Sequence, residues 1–292
     1  MSFMCEHGIV HPEVFDREHE FAVLPQFGYD VKPFYEKTVH KPFTFQSPQG
    51  YTIAGEIIPA PADAVFPDGK KRAVIIAHGY RGNRWTALSY GEIYNQLGFD
   101  VVVYDHRCHG ESGGDFCSLG FYESKDLFAL AEHFRALFPP DTVWGIHGES
   151  MGAASVMLAV PHLKWLSFCA EDSGYGDMRD PVRSILKRHR IFPVSPIMFV
   201  TGLILKVKRG FTFSDVRPFD TVKNIRIPMF FTHGENDILV LPDTVHRLYD
   251  AKQEGNKGIV MFEGVSHAKC ILKEHVKYGE ELERFLRENA II

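Results

Sequence analysis

From residue 73 onward the chain alternates short, continuous apolar runs with longer stretches in which apolar residues recur at helical spacing. The runs at 73–77, 101–104, 142–146, 165–170, 227–232 and 259–262 lack the polar alternation of a half-exposed strand, so they predict parallel strands covered on both faces. The stretches 85–97, 122–138, 151–160, 242–251 and 270–286 predict the covering helices. Upstream, Phe43-Thr44-Phe45 and the run 51–58 flank Ser47-Pro48-Gln49-Gly50, a turn composition, and predict an antiparallel hairpin at the sheet edge. The expected class is α/β, with a mostly parallel central sheet, antiparallel N-terminal strands and helices on both faces.

Two regions depart from this rhythm. Residues 1–40 carry Phe15, Phe21, Phe27, Tyr29, Phe34 and Tyr35 among prolines and charges, and read as an arm or short helices lying on a domain that spans 41–292. Residues 174–220, after the sixth strand, are too long for a plain crossover and hold two helix-like stretches, 178–189 and 196–207, which predict a helical cap. Such an insertion sits over the carboxyl ends of the strands, where open α/β sheets bind ligands. Between Asp177 and Arg209 eight Lys and Arg face two acids, so the cap is basic although the whole chain carries a net charge of -5.

With 292 residues, 45% hydrophobic and 24% charged, the composition is that of a globular protein and excludes disordered and fibrous classes. The acidic balance implies no nucleic-acid partner. Five cysteines are scattered without a Cys-x-x-Cys pair, which argues against a disulfide framework and a zinc site and fits a reducing cytoplasm. Residues 1–10 show neither a basic n-region nor a long apolar stretch, so the reading is a cytoplasmic protein without stable membrane insertion.

The chemistry-bearing motif is Gly148-Glu149-Ser150-Met151-Gly152, which follows the apolar run 142–146 and opens the helical stretch 151–160. A serine on a sharp strand-to-helix turn between glycines is the nucleophile-elbow pattern, because only small flanking residues tolerate that strained turn. Three further blocks accompany it: His78-Gly79-Tyr80, the stretch Asp105-His106-Arg107-Cys108-His109-Gly110-Glu111-Ser112, and the pair Gly234-Glu235-Asn236-Asp237 and Ser266-His267. On these residues the sequence from about 41 to 290 resembles the α/β-hydrolase superfamily, and within it the serine-aminopeptidase-type and monoacylglycerol-lipase-type esterases. Those usually carry glycine where this chain has Cys108.

The resemblance implies a catalytic set of Ser150, Asp237 and His267, in the order that this elbow requires. An unassisted hydroxyl is too weakly acidic to attack an acyl carbon, so His267 would take its proton and Asp237 would hold the imidazole tautomer. Asp172, after the 165–170 strand, is the competing acid. Backbone N–H groups of Tyr80 and Met151 would form the oxyanion hole, and Arg81, Gly82 and Asn83 would shape the acyl pocket. Asp105, His106 and His109 could tempt a metal assignment, but no fourth ligand has recognisable spacing, so the loop reads as a buttress and no metal or cofactor is expected. Glu149 either raises the His267 pKa, orients a leaving group or faces solvent. The run 197–205 is too short to span a bilayer and is either core or an acyl-pocket wall, which makes Met198 and Phe199 candidate substrate contacts. The basic residues beside it would attract an anionic substrate or a membrane surface.

The expected function is a serine hydrolase of the carboxylesterase type, cleaving short-to-medium acyl or aryl esters of small molecules. The alternatives with the same set are an aminopeptidase-like serine peptidase, a thioesterase or an acyltransferase. A non-catalytic binding module would lack one of the three residues.

Overall fold

The computed structural model describes residues 7–292; Met1 to Glu6, including Cys5, lie outside the described residues. Its centre is an eight-stranded sheet of β1 (Lys41–Gln46), β2 (Thr52–Ile58), β3 (Arg72–Ala77), β4 (Phe99–Tyr104), β5 (Val143–Glu149), β6 (Phe168–Asp172), β7 (Met229–Gly234) and β8 (Lys257–Phe262). The spatial order is β1-β2-β4-β3-β5-β6-β7-β8. Strand β2 pairs antiparallel with β1 and β4, and the pairs from β4 through β8 are parallel. The hairpin turn is closed by Ser47 N–H donating to the Tyr51 carbonyl at 2.8 Å.

Among the described residues, the principal helices are α1 (Arg17–Val23), α2 (Lys32–Lys37), α3 (Arg84–Gln96), α4 (Phe121–Leu137), α5 (Met151–Ala159), α6 (Arg179–Arg188), α7 (Val194–Arg209), α8 (Asp243–Ala251), α9 (Cys270–Lys273) and α10 (His275–Glu288). Successive β3 side chains point to opposite faces, which makes two cores. Val74 and Ile76 pack with Leu88 and Tyr94 of α3 and with Leu282 and Phe285 of α10. Ala73, Ile75 and Ala77 pack with Leu127 and Phe134 of α4, Val156 of α5 and Leu248 of α8. Every residue of β3 and β4 is buried, as a doubly covered sheet requires.

A third apolar cluster lies under α6 and α7, the helices between β6 and β7, and joins Met178, Val182 and Leu186 to Met151, Leu119 and Val240. The N-terminal helices pack on the first core through Leu24, Val31 and Phe34.

Two strands sit later in the chain than their apolar runs. Strand β6 starts at Phe168 and continues into the buried acids Glu171 and Asp172, while Trp165 and Leu166 pack against the second core from the preceding loop. Strand β7 starts after Pro228, which has no ladder donor, and runs through His233. The C-terminal stretch is broken at Glu274 (φ -128°) into α9 and α10.

Candidate active site

The elbow is built by close backbone approach. A Cβ on Gly152 would stand 2.0 Å from the Ala77 carbonyl oxygen, and one on Gly148 would stand 2.4 Å from the Gly152 oxygen. Neither space admits a methyl group. Between them Ser150 has φ 52° and ψ -108°, a left-handed conformation that side chains rarely adopt. The strain is held by pairing on both sides: Ser150 N–H donates to the Asp172 carbonyl at 2.8 Å, and the Ser150 carbonyl accepts from Ala154 N–H at 3.0 Å. The serine therefore projects from the carboxyl end of β5 at the head of α5.

Ser150 Oγ lies 2.8 Å from His267 Nε2, and His267 Nδ1 lies 2.6 Å from Asp237 Oδ2. A carboxylate only accepts, so Nδ1 carries the proton and Nε2 presents its lone pair to the serine hydroxyl. Asp237 Oδ1 accepts from the Leu239 and Val240 N–H groups at 2.8 and 2.9 Å. His233 Nε2 sits 3.1 Å from Asp237 Oδ2 and 2.9 Å from the Val240 carbonyl. Burial opposes the Asp237 charge, but the hydrogen bonds from His233 and His267 outweigh it and hold the carboxyl well below the usual carboxylate range.

The two loops that carry these residues are locked together. Gly234 lets the end of β7 approach the Val265 carbonyl to where a Cβ would be 2.4 Å away, and Asn236 N–H donates to that same carbonyl at 2.9 Å. Ala268 N–H donates to Ser173 Oγ at 3.2 Å, and Ser173 Oγ donates to Asp172 Oδ1 at 2.7 Å. Asp172, the competing acid, spends its other oxygen on the Tyr90 hydroxyl at 2.9 Å and makes no hydrogen bond to His267. Its place is in the frame beneath the site. His233 was not foreseen. Its only signal in the sequence is its position at the end of β7, four residues before Asp237.

Residues 79–82 form a turn closed by Gly82 N–H on the Gly79 carbonyl at 3.1 Å, with Arg81 left-handed at φ 66°. His109 Nδ1 faces the Arg107 carbonyl, so its Nε2 accepts from Arg81 N–H at 3.2 Å. His78 Nε2 accepts from His106 N–H at 2.9 Å. Asp105 takes Arg84 as its partner and accepts from Arg84 and Glu111 N–H. This stretch braces the turn, and among the described residues no three His, Cys, Asp or Glu side chains are grouped to hold a metal ion.

Ser150, Met151 and Tyr80 share a cavity of about 610 Å³ whose other walls are apolar, with Met178, Val182, Ile185 and Leu186 from the α6 region and Leu239 and Val240 from the Asp237 loop. Met198 and Phe199 do not line it. They lie on a separate groove, where Met198 is buried against the third cluster and Phe199 is 75% exposed. The run 197–205 is apolar nearly all round, so its sequence holds no cue to the inward face, and α6 fills the place beside the serine. Arg81, Gly82 and Glu149 line a smaller recess of about 200 Å³ on the other side of Tyr80, together with Glu20 and Lys269. Asn83 caps α3 and donates to Glu20 Oε1 at 3.1 Å. Burial and the charge of Asp172 push Glu149 up to about 7, and burial together with the Glu149 charge pushes Glu20 up to about 7.

Comparison with known proteins adds to this geometry. The Bacillus subtilis (strain 168) uncharacterized protein YqkD is 30% identical over 261 residues, covering 89% of this chain and 83% of that protein. The family model for serine aminopeptidase, S33, matches residues 68–166. The chain belongs to the α/β-hydrolase superfamily. Among solved hydrolases, the Pyrococcus furiosus esterase Pf2001 superposes with a TM-score of 0.73 at 21% identity, over 96% of this chain and 99% of that one. Est1E from Butyrivibrio proteoclasticus gives 0.62 at 17% identity, over 86% and 99%. At these identities the two structures support the hydrolase fold. Among the described residues of this hydrolase, no helix is long and apolar enough to cross a membrane.

Proposed function

We propose that the protein is a serine carboxylesterase that cleaves small-molecule esters of short-to-medium acyl or aryl acids through an acyl-enzyme on Ser150. The observation that carries the reading is the unbroken chain from Ser150 Oγ through His267 to Asp237 at the mouth of an apolar cavity. As Ser150 Oγ attacks the acyl carbon, its proton passes to His267 Nε2, and Asp237 stabilises the imidazolium. The N–H groups of Tyr80 and Met151 stabilise the oxyanion. His267 returns the proton to the leaving alcohol as the C–O bond breaks. Water then attacks the acyl-serine by the same relay, releasing the acid and restoring the serine.

A fluorophosphonate probe should label the purified protein at Ser150, and p-nitrophenyl butyrate should be hydrolysed. Ser150→Ala is expected to abolish labelling and to lower kcat by about 10⁴–10⁶-fold. Labelling that survives this substitution overturns the proposal.

A peptidase reading has its own support in the matching family model and in the Glu20 and Glu149 carboxyls beside Tyr80, which suit a substrate ammonium. The apolar lining around Ser150 favours esters. Relative rates on p-nitrophenyl esters and aminoacyl p-nitroanilides separate the two.

A further inference from the structure

Part of the wall of the serine cavity comes from residues 8 and 9. Gly8 and Ile9 line the cavity together with Ser150 and Tyr80. Residues 7–10 are helical, and Val10 is fully buried in the cluster under α6 and α7, with its carbonyl accepting from Cys117 N–H at 2.7 Å. Full burial of a valine side chain contributes about 1.5–3 kcal/mol toward seating this segment.

The same segment is tied to the turn that presents Tyr80. The Tyr80 hydroxyl donates to the Gly8 carbonyl at 3.4 Å, Glu13 pairs with Arg81, and Asn83 Nδ2 donates to the Phe15 carbonyl at 3.1 Å. The Glu13 and Arg81 side chains are both at least half exposed, so that pair adds little. Val10 and the backbone bond to Cys117 are the main anchors.

Resting on the reading of Ser150 as the acyl acceptor, we infer that residues 7–15 are a strap that closes the acyl-binding cavity, with Ile9 as the residue that sets the length of acyl chain accepted. Ile9 suits the role by its half-burial: one side of it faces the cavity and the rest lies at the surface, so its size can change without opening the core. The contacts of this segment to Tyr80 and Arg81 couple its seating to the proposed oxyanion turn.

The test uses the full chain with Ile9→Ala and Ile9→Trp, assayed on p-nitrophenyl acetate, hexanoate and dodecanoate. Because a methylene in a hydrophobic pocket is worth about tenfold or more in discrimination, the dodecanoate-to-acetate ratio of kcat/KM should rise about tenfold in Ile9→Ala and fall about tenfold in Ile9→Trp. A strap that only stabilised the fold would move both variants in the same direction. Such a common shift, or ratios unmoved in both, overturns the inference even with ester turnover intact. Calorimetric binding of decanoate to the same proteins tests the wall without any chemistry: Ile9→Trp should weaken it about tenfold, and unchanged affinity overturns the inference. A protein that binds decanoate in this Ile9-dependent way yet neither turns over esters nor takes the fluorophosphonate label would refute the acyl-serine reading alone.

Discussion

Side-chain chemistry at the site depends on groups whose charge is set by burial. Asp237 keeps its charge because four donors converge on it: two backbone N–H groups, His267 and His233. His233→Leu removes one of these and leaves the Val240 carbonyl without its donor. The expected result is a fall in kcat on p-nitrophenyl butyrate of about tenfold, a fraction of the ~10²–10⁴ that a positioned base supplies, with KM little changed. A KM effect alone would contradict this positioning role. Glu171 shows the opposite balance. It is fully buried, its Oε2 accepts from Gly174 N–H at 2.8 Å, and burial pushes it up to about 8 against the opposing charge of His233. The folded state thus holds a proton that the unfolded chain releases from about pH 4.5, so stability is lost as pH rises toward 8. Glutamine mimics the protonated carboxyl. Glu171→Gln should match the parent at pH 5 in denaturant melts and exceed it at pH 9, by on the order of 2–4 kcal/mol.

Elements meet here at distances that only glycine allows. Helix α5 starts against the end of β3, and Gly152 is the point of approach. An alanine there would collide with backbone oxygens of Ala77 and His78, which cannot rotate away as a side chain could. Gly152→Ala is expected to destabilise by more than about 3 kcal/mol, or to fold with the helix displaced and fluorophosphonate labelling lost. Thermal melts alongside labelling distinguish these outcomes, and a stable, fully labelled variant would contradict the close-packing argument. The strand starts make the same point about elements. Apolar runs located all eight strands, but their ends moved where a proline lacked a donor, as before β7, or where buried acids extended a strand, as in β6. Hydropathy cannot register an acid that is neutralised or hydrogen-bonded inside the fold.

At the scale of the whole molecule, three segments far apart in sequence converge at the carboxyl end of one sheet: the elbow at 150, the loop at 237 and the loop at 267. Their order along the chain was legible because the elbow has a local signature and the other two follow strands. Which acid faces His267 was not local information. Asp172 ends β6 and Asp237 lies on the loop after β7, and only the seating of Tyr90 and Ser173 on the first and of His267 on the second separates them. The cavity walls were least legible. An apolar helix reads the same whether it faces ligand, core or solvent, which is why the run 197–205 left core and acyl-pocket wall both open, and why the place of α6 at the cavity had no cue. The N-terminal wall had no periodicity to read at all. By itself, then, the sequence determined the strand and helix alternation, the strained serine turn and the chemical types at the site, because these depend on neighbours a few residues apart. Only the tertiary structure decided which acid is paired, which helix lines the cavity and where residues 7–15 lie, because these depend on packing between segments that no local pattern specifies.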